Sequence, residues 1–308
     1  MDNSNNRKKG RPRQKWNPQW SLKILYGLWS TVLAALKIAL GAVATVLLIC
    51  VVCGFVFVGI LGNYLQDDVL PEAYYSMENA NLDQTSFVYY VDGDGNIQLL
   101  QQIHTSADRQ WASLDEIPDA MVEAAIAIED KRFYEHQGVD WITTVKACAN
   151  LFFGGDDKFG GSTITQQLLK NLTGEDSVTV QRKVQEILTA QCYEKVYDKD
   201  FIMEWYLNTI YLGRGCYGVK SAAAEYFGKE LRTLTVAECA SLISITNNPS
   251  IFNPYSQSVY MWEGEERNGA ERNRVRQLNV LHEMKEQGWI TEEEYEEAKN
   301  QEMVFKVG

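Results

Sequence analysis

The sequence predicts a mainly α-helical body behind one N-terminal transmembrane helix, with a small β-hairpin between them. Three observations carry this. Residues Ile38 to Gly62 run without a single charge, two β-rich runs flank an Asp/Gly turn at 92–95, and helical patterns follow one another from Ile117 onward.

Residues 1–21 are polar and basic and read as a cytoplasmic tail. Residues 22–65 hold an interfacial segment and then the span. At about 1.5 Å per residue, the uncharged run is long enough to cross a bilayer core. It is too long for the apolar part of a signal peptide, and no small-residue cleavage site follows it. Arg7, Lys8, Lys9, Arg11, Arg13 and Lys15 precede it, while Asp67, Asp68 and Glu72 follow. The positive-inside rule then places the N-terminus in the cytoplasm and the body outside it, on a single-pass protein of the cell membrane. Residues 19–36 carry Trp20, Leu22, Ile24, Leu25, Leu28 and Trp29 and read as an interfacial helix feeding the span.

Residues 66–115 read as an extracytoplasmic stalk with the hairpin. Phe87 to Tyr90 and Ile97 to Leu100 are its strands, around Asp92-Gly93-Asp94-Gly95. Residues 116–308 form the helical body. Helices are expected after Pro118-Asp119, after the Ser162-Thr163 cap, and over 180–197, 200–212, 219–227, 235–246, 271–287 and 291–300. Gly154-Gly155 and Gly160-Gly161 bracket a loop. The chain stops soon after the last helix pair, which leaves no room for a second domain.

Charge narrows the function. Eight of the 29 Lys and Arg residues, against one of the 41 acids, lie in residues 1–37. The rest holds 21 cations and 40 acids, which argues against nucleic acid as a partner. Cys50 and Cys53 lie in the span. Cys148, Cys192, Cys216 and Cys239 are scattered, without metal-ligand spacing or a disulfide framework. His104, His136 and His282 form no zinc constellation.

Three constellations could carry chemistry. The first is Glu129 through Gly138, where Glu129 ends an Ala-rich apolar helix. A carboxylate leaving a buried helix face tends to be partly desolvated, which suits it to proton transfer. Read alone, Glu129 fits a surface pair with Lys131 or Arg132 better. The second runs from Gly160 to Asn171: a Gly-rich loop opening a helix, with Thr163, Gln166, Gln167 and Lys170 as possible donors to hydroxyls or phosphates. Standing alone it reads as a plain capped helix. The third contains Arg182, Lys183 and Glu186, followed at four-residue steps by Ala190 and Glu194. It is either a solvated charged face or a second acid held by Arg182.

Together, the three motifs resemble the family 51 glycosyltransferases, peptidoglycan polymerases found alone or at the front of class A penicillin-binding proteins. The family pattern E-D-x-x-F-x-x-H-x-G appears as Glu129, Asp130, Phe133, His136 and Gly138. G-x-S-T-I-x-Q-Q-x-x-K-N appears as Gly160 to Asn171, including Ser162, and R-K-x-x-E as Arg182, Lys183 and Glu186. Further matches are Glu204 to Asn208 with Tyr211, Gly213 and Gly218, and Ala240 to Pro254. The likeness covers about residues 85–305.

The resemblance implies a lysozyme-like helical fold and the polymerisation of lipid II into β-1,4-linked glycan, with undecaprenyl pyrophosphate released and the anomeric centre inverted. It implies Glu129 as general base and Glu186 as the second catalytic carboxylate. Asp130, Phe133, His136, Ser162, Thr163, Gln166, Gln167, Lys170, Asn171, Arg182 and Lys183 would bind substrate. Expected partners are lipid II, the growing strand, the cytoplasmic membrane, and transpeptidases or other wall-synthesis proteins. No organic cofactor is implied. The family often has Arg and Lys where this chain has Val178 and Gln185. With the acidic run Glu175-Asp176, this points to Mg²⁺ or Mn²⁺ at the leaving group. Two other readings stand beside polymerisation: a lysozyme-like enzyme that cleaves peptidoglycan, and a catalytically weakened membrane scaffold. The hairpin is more typical of the bifunctional proteins, although no Ser-x-x-Lys motif occurs in the chain.

Overall fold

The computed structural model describes residues 18–64, 67, 86–91, 97–103, 108–146, 161–173, 180–262 and 264–306. Val178, Cys148, the loop between Gly154 and Gly160, and the acidic pair at 175–176 lie outside these. The chain divides into two units, Met1–Tyr64 and Leu65–Gly308.

The first unit is one helix, α1 (Pro18–Tyr64). The interfacial part runs into the span without a break, consistent with a helix that feeds it. The Ala-Ala-Leu-Lys stretch at 34–37 consists of strong helix formers, so nothing stops the helix there. Its large apolar side chains are exposed along its length, and none of its most apolar window is buried. It is long and apolar enough to cross a membrane.

The second unit begins with β1 (Ser86–Val91) and β2 (Ile97–Ile103), an antiparallel pair with a bulge between Val88 and Tyr89. Helices then dominate the described residues: α2 (Asp119–Glu129), α3 (Ile164–Thr173), α4 (Val180–Tyr193), α5 (Lys199–Thr209), α6 (Val219–Tyr226), α7 (Val236–Ile245), α8 (Pro249–Phe252), α9 (Gly269–Glu286) and α10 (Glu292–Asn300). A two-residue parallel pair joins β3 (Asp108–Arg109) to β4 (Cys216–Tyr217), and β5 (Tyr260–Trp262) with β6 (Glu265–Arg267) forms a second hairpin. This later hairpin escaped the sequence reading because three residues per strand are too few to show alternation.

At the centre lies α7. Every residue from Ala237 to Ile245 is buried, and α2, α9 and α10 pack around it. Its sequence is mostly apolar, and Glu238, Ser241 and Ser244 each find a partner inside, which suits a helix covered on every side. Capping boxes start α7, α9 and α10: Thr235 with Glu238, Asn268 with Glu271, and Thr291 with Glu294. Each satisfies amide groups that the first turn leaves open, worth about 1 kcal/mol. Packing α2 on α7 buries Met121, Ala124, Ala125, Ile126 and Ala127, and this fixes where Glu129 emerges.

Residues of the Glu204 to Asn208 match serve as ties. Glu204 on α5 accepts from Trp111 Nε1 at 3.1 Å and from Leu114 N at 2.8 Å. Fully buried Asn208 accepts from Ala112 N and donates to Ala112 O, both at 2.8 Å. Together they fasten segment 111–114 to α5. Gly138 and Gly218 take φ of +81° and +82°, which glycine tolerates. A Cβ on Gly138 would lie 2.4 Å from Ala190 O of α4, so this close crossing of the 130–138 loop requires glycine.

Candidate active site

Glu129 is the last residue of α2. Its Oε2 accepts from Gln167 Nε2 at 2.9 Å, and its Oε1 accepts from Thr246 Oγ1 at 2.9 Å. Arg276 Nη2 lies 3.8 Å from Oε1. The Glu129 side chain is 13% exposed, so it is largely desolvated yet open to solvent on one side. Beneath it, buried Tyr206 donates to Gln167 Oε1 at 3.4 Å, a long bond. Burial, then the charges of Glu129 and Asp130, push the Tyr206 phenol well above its ordinary value, so it stays a neutral donor. Burial pulls the Arg276 guanidinium down, opposed by Glu129 and Tyr206.

Asp130 turns away from Glu129. Its carboxylate meets His136 Nε2 at 3.0 and 2.9 Å and accepts from Ile164 N at 3.0 Å. It thus holds the first amide of α3, where an acid also meets the positive end of the helix. Thr163 caps that helix: its hydroxyl donates to Gly138 O at 2.6 Å and receives Gln166 N at 3.3 Å. Gln166 Oε1 returns to accept from Thr163 N at 2.9 Å. This is a capping box of the Thr-x-x-Gln kind. Phe133 is wholly buried, with Lys199 Nζ 4.3 Å from its ring centroid. Lys199 pairs with Glu194 at 2.6 Å, and Glu194 accepts from the Thr165 hydroxyl. Burial lowers the Lys199 pKa, and the Glu194 pair works against that.

Glu186 lies one helix away. Its Oε2 accepts from Arg182 Nη1 at 2.7 Å and its Oε1 from Lys183 Nζ. Lys183 also donates to Ser162 Oγ at 2.8 Å. The start of α3 therefore serves both carboxylates. Gln167 reaches Glu129, and Ser162 reaches Glu186 through Lys183.

The sequence-expected residues divide in consequence. Glu129 and Gln167 meet directly, as do Ser162, Lys183, Glu186 and Arg182. Lys170 and Asn171 are exposed on α3. Asp130, Phe133, Thr163 and Gln166 were expected to bind substrate but are buried in the scaffold, and the His136 ring is nearly so. Their side chains have work to do inside: capping α3, seating the loop, and holding Glu129 by its neighbours. Adjacent helical residues point about 100° apart, so Gln166 and Gln167 cannot share a face. Two residues at Glu129 were missed. Thr246 lies within the Ala240 to Pro254 match, where nothing in the local pattern marks it. Arg276 sits on the inward stripe of α9, among Arg272, Asn273, Gln277, Val280 and Met284, which are buried. A cation on a core-facing stripe was the available signal.

The transglycosylase family profile matches residues 96–285. Penicillin-binding protein 1A of Aquifex aeolicus is 41% identical over 198 residues, covering 64% of this chain and 26% of that one. Penicillin-binding protein 1F of Bacillus subtilis is 34% identical over 243 residues, covering 78% and 30%. Penicillin-binding protein 1A of Escherichia coli is 37% identical over 227 residues, covering 73% and 25%. The matched region is thus less than a third of each relative's length. With the family profile spanning most of the body and the Glu129 and Glu186 sites both built, the chain belongs to the transglycosylase family, the family 51 peptidoglycan glycosyltransferases.

Proposed function

We propose that this protein polymerises lipid II at the outer surface of the cytoplasmic membrane, with Glu129 as general base. The acceptor sugar's 4-hydroxyl attacks the donor's anomeric carbon, and Glu129 takes its proton. The bond from that carbon to the pyrophosphate oxygen breaks, and undecaprenyl pyrophosphate leaves with the electron pair. The observation supporting this is the clasp on Glu129: one donor on each oxygen orients the carboxylate without covering it. Such orientation is what general-base catalysis needs, and the base itself contributes about 10²- to 10⁴-fold.

Glu186 is read as the partner that holds Arg182 and Lys183 in place for the leaving group. Lys170 adds charge from α3. The donor set fits a resident divalent cation poorly, because both Glu186 oxygens already accept from cations. Among the described residues no three His, Cys, Asp or Glu gather as ligands. We therefore propose that any Mg²⁺ or Mn²⁺ used arrives on the pyrophosphate.

The basic residues before α1 and the acids after it support an inward N-terminus and an outward body. Transpeptidases are proposed partners, since the named relatives are penicillin-binding proteins. The test is full-length protein with labelled lipid II: wild type should make polymer, and Glu129→Gln should make none while remaining folded. Polymer formed by that variant at the wild-type rate would overturn the general-base role.

A further inference from the structure

Thr246 follows α7 and presents one hydroxyl to two acceptors. Its Oγ1 lies 2.9 Å from Glu129 Oε1 and 2.7 Å from Ile243 O, one turn back. A hydroxyl carries one proton and two lone pairs, so it cannot donate to both at once. With Glu129 ionised, donation to Oε1 is favoured because a charged acceptor makes the stronger bond. With Glu129 protonated on Oε1, the direction can reverse. The Glu129 O–H then donates to Thr246 Oγ1, and the Thr246 proton turns to Ile243 O. The hydrogen bond survives in both states.

Among the described residues, the other groups around Glu129 do not offer this. Gln167 presents Nε2, which only donates, and its Oε1 takes Tyr206. Arg276 on α9 is a donor only, 3.8 Å away. Tyr206 on α5 is directed to Gln167. Asp130 faces His136 and Ile164 N, and Lys131 faces Glu283 at 2.6 Å.

We infer that Thr246 is a positioning residue that keeps the Glu129 carboxyl oriented through its whole protonation cycle, by reversing the sense of one hydrogen bond. This rests on the general-base role of Glu129. The proton Glu129 takes from the acceptor hydroxyl stays on Oε1 while the sugar bond forms. It then leaves to water through the exposed side of the group. The anion takes the stronger bond, so losing the tie disfavours ionisation somewhat, but less than losing a donor that serves the anion alone.

The experiment compares Thr246→Val, Thr246→Ala and Thr246→Ser with wild type, on full-length protein with labelled lipid II across pH 5 to 9. Val and Ala should lower kcat at least tenfold, keep KM within about twofold, and raise the acid limb of the kcat profile less than Gln167→Leu, which removes an amide donor that serves the anion alone. Ser should recover activity to within about threefold of wild type, and melting curves should show all three folded. Wild-type kcat in both Val and Ala variants would overturn the inference. So would an acid limb raised as far as in Gln167→Leu, which would mark a donor serving the anion alone, or a loss seen only in KM. If Ala folds and Val does not, Ala alone decides. Glu129→Gln runs alongside. If it is inert while Thr246→Val is fully active, the Thr246 inference fails and the general base stands. If it is active, the general-base role itself has failed.

Discussion

The amide of Gln167 donates to Glu129 Oε2 across 2.9 Å, linking the helix that follows the Gly-Ser-Thr loop to the end of the buried helix before it. Replacing this donor by an acid reverses the local electrostatics. In Gln167→Glu, two carboxylates would face each other, and a like charge disfavours ionisation. The acid limb of kcat should therefore move to higher pH, with turnover at pH 7 about ten- to a hundred-fold down. A pH series on lipid II polymerisation, with Gln167→Leu beside it, checks this. The Leu variant should lose turnover without moving the limb as far.

Glu186 has the opposite surroundings, with two cations on it and a link from Lys183 to Ser162. Glu186→Gln should free Lys183 from its fixed place and misalign the leaving-group charges. Turnover is expected to fall about ten-fold or more, since correct placement of such charges is worth that much. The measurement is steady-state kinetics with lipid II. Added Mg²⁺ should not restore the rate, because the loss lies in position and not in total positive charge.

Much of this was readable before any coordinates. An uncharged run, a Gly-rich helix start and an Asp/Gly turn are local signals, and each marks one element. The sequence motifs also located Glu129 and Glu186. What they could not supply was direction. Asp130 stands next to Glu129, yet its carboxylate reaches back to a backbone amide 34 residues on. Gln166 and Gln167 are neighbours, yet one closes a cap and the other meets the base. Arg276 and Thr246 come to Glu129 from more than 110 residues away, and no local pattern reports a contact over that distance.

Asp140 gives a prediction about pH. It accepts from Arg132 Nε at 2.9 Å, Thr143 Oγ1 at 2.6 Å and Thr143 N at 3.0 Å, and so caps the helical stretch at 141–146. Burial opposes its charge, but these bonds outweigh burial and hold its carboxyl well below the usual range. A depressed folded pKa stabilises above the unfolded value near 3.9, and the contribution fades as pH falls toward the folded one. Asp140→Asn should be less stable than wild type at pH 7, and the gap should narrow below about pH 4. Urea midpoints at pH 7 and pH 3 decide it: an equal gap at both would mean that charge plays no part.

Gly138→Ala tests the crossing of the 130–138 loop over α4. The φ of +81° costs a side-chain-bearing residue about 1–3 kcal/mol, and the Cβ would overlap Ala190 O at 2.4 Å. Neither partner is flexible, because both are backbone. The variant should melt several degrees lower and lose activity, since the same loop receives Thr163, the cap of α3, on Gly138 O. A melting point equal to wild type would show that loop and helix can separate without cost.

The last prediction concerns an exposed apolar surface on the stretch that Asp140 caps. Trp141, Ile142 and Val145 are 52%, 54% and 63% exposed, and their spacing lays them along one side of the 141–146 stretch. Large apolar groups left in water along one side of a helical stretch mark a surface meant for contact. For an enzyme whose proposed substrate has a lipid tail, the contact expected is the membrane interface, where Trp is favoured. Burying each of these side chains gains about 1.5–3 kcal/mol, so three substitutions should be felt strongly. The variant Trp141→Ser, Ile142→Ser, Val145→Ser should show a raised KM for membrane-borne lipid II, with kcat at saturation close to wild type. A short-chain, water-soluble lipid II analogue should be used equally well by both proteins. If the triple variant loses kcat on that analogue too, the patch acts on the chemistry and not on the membrane.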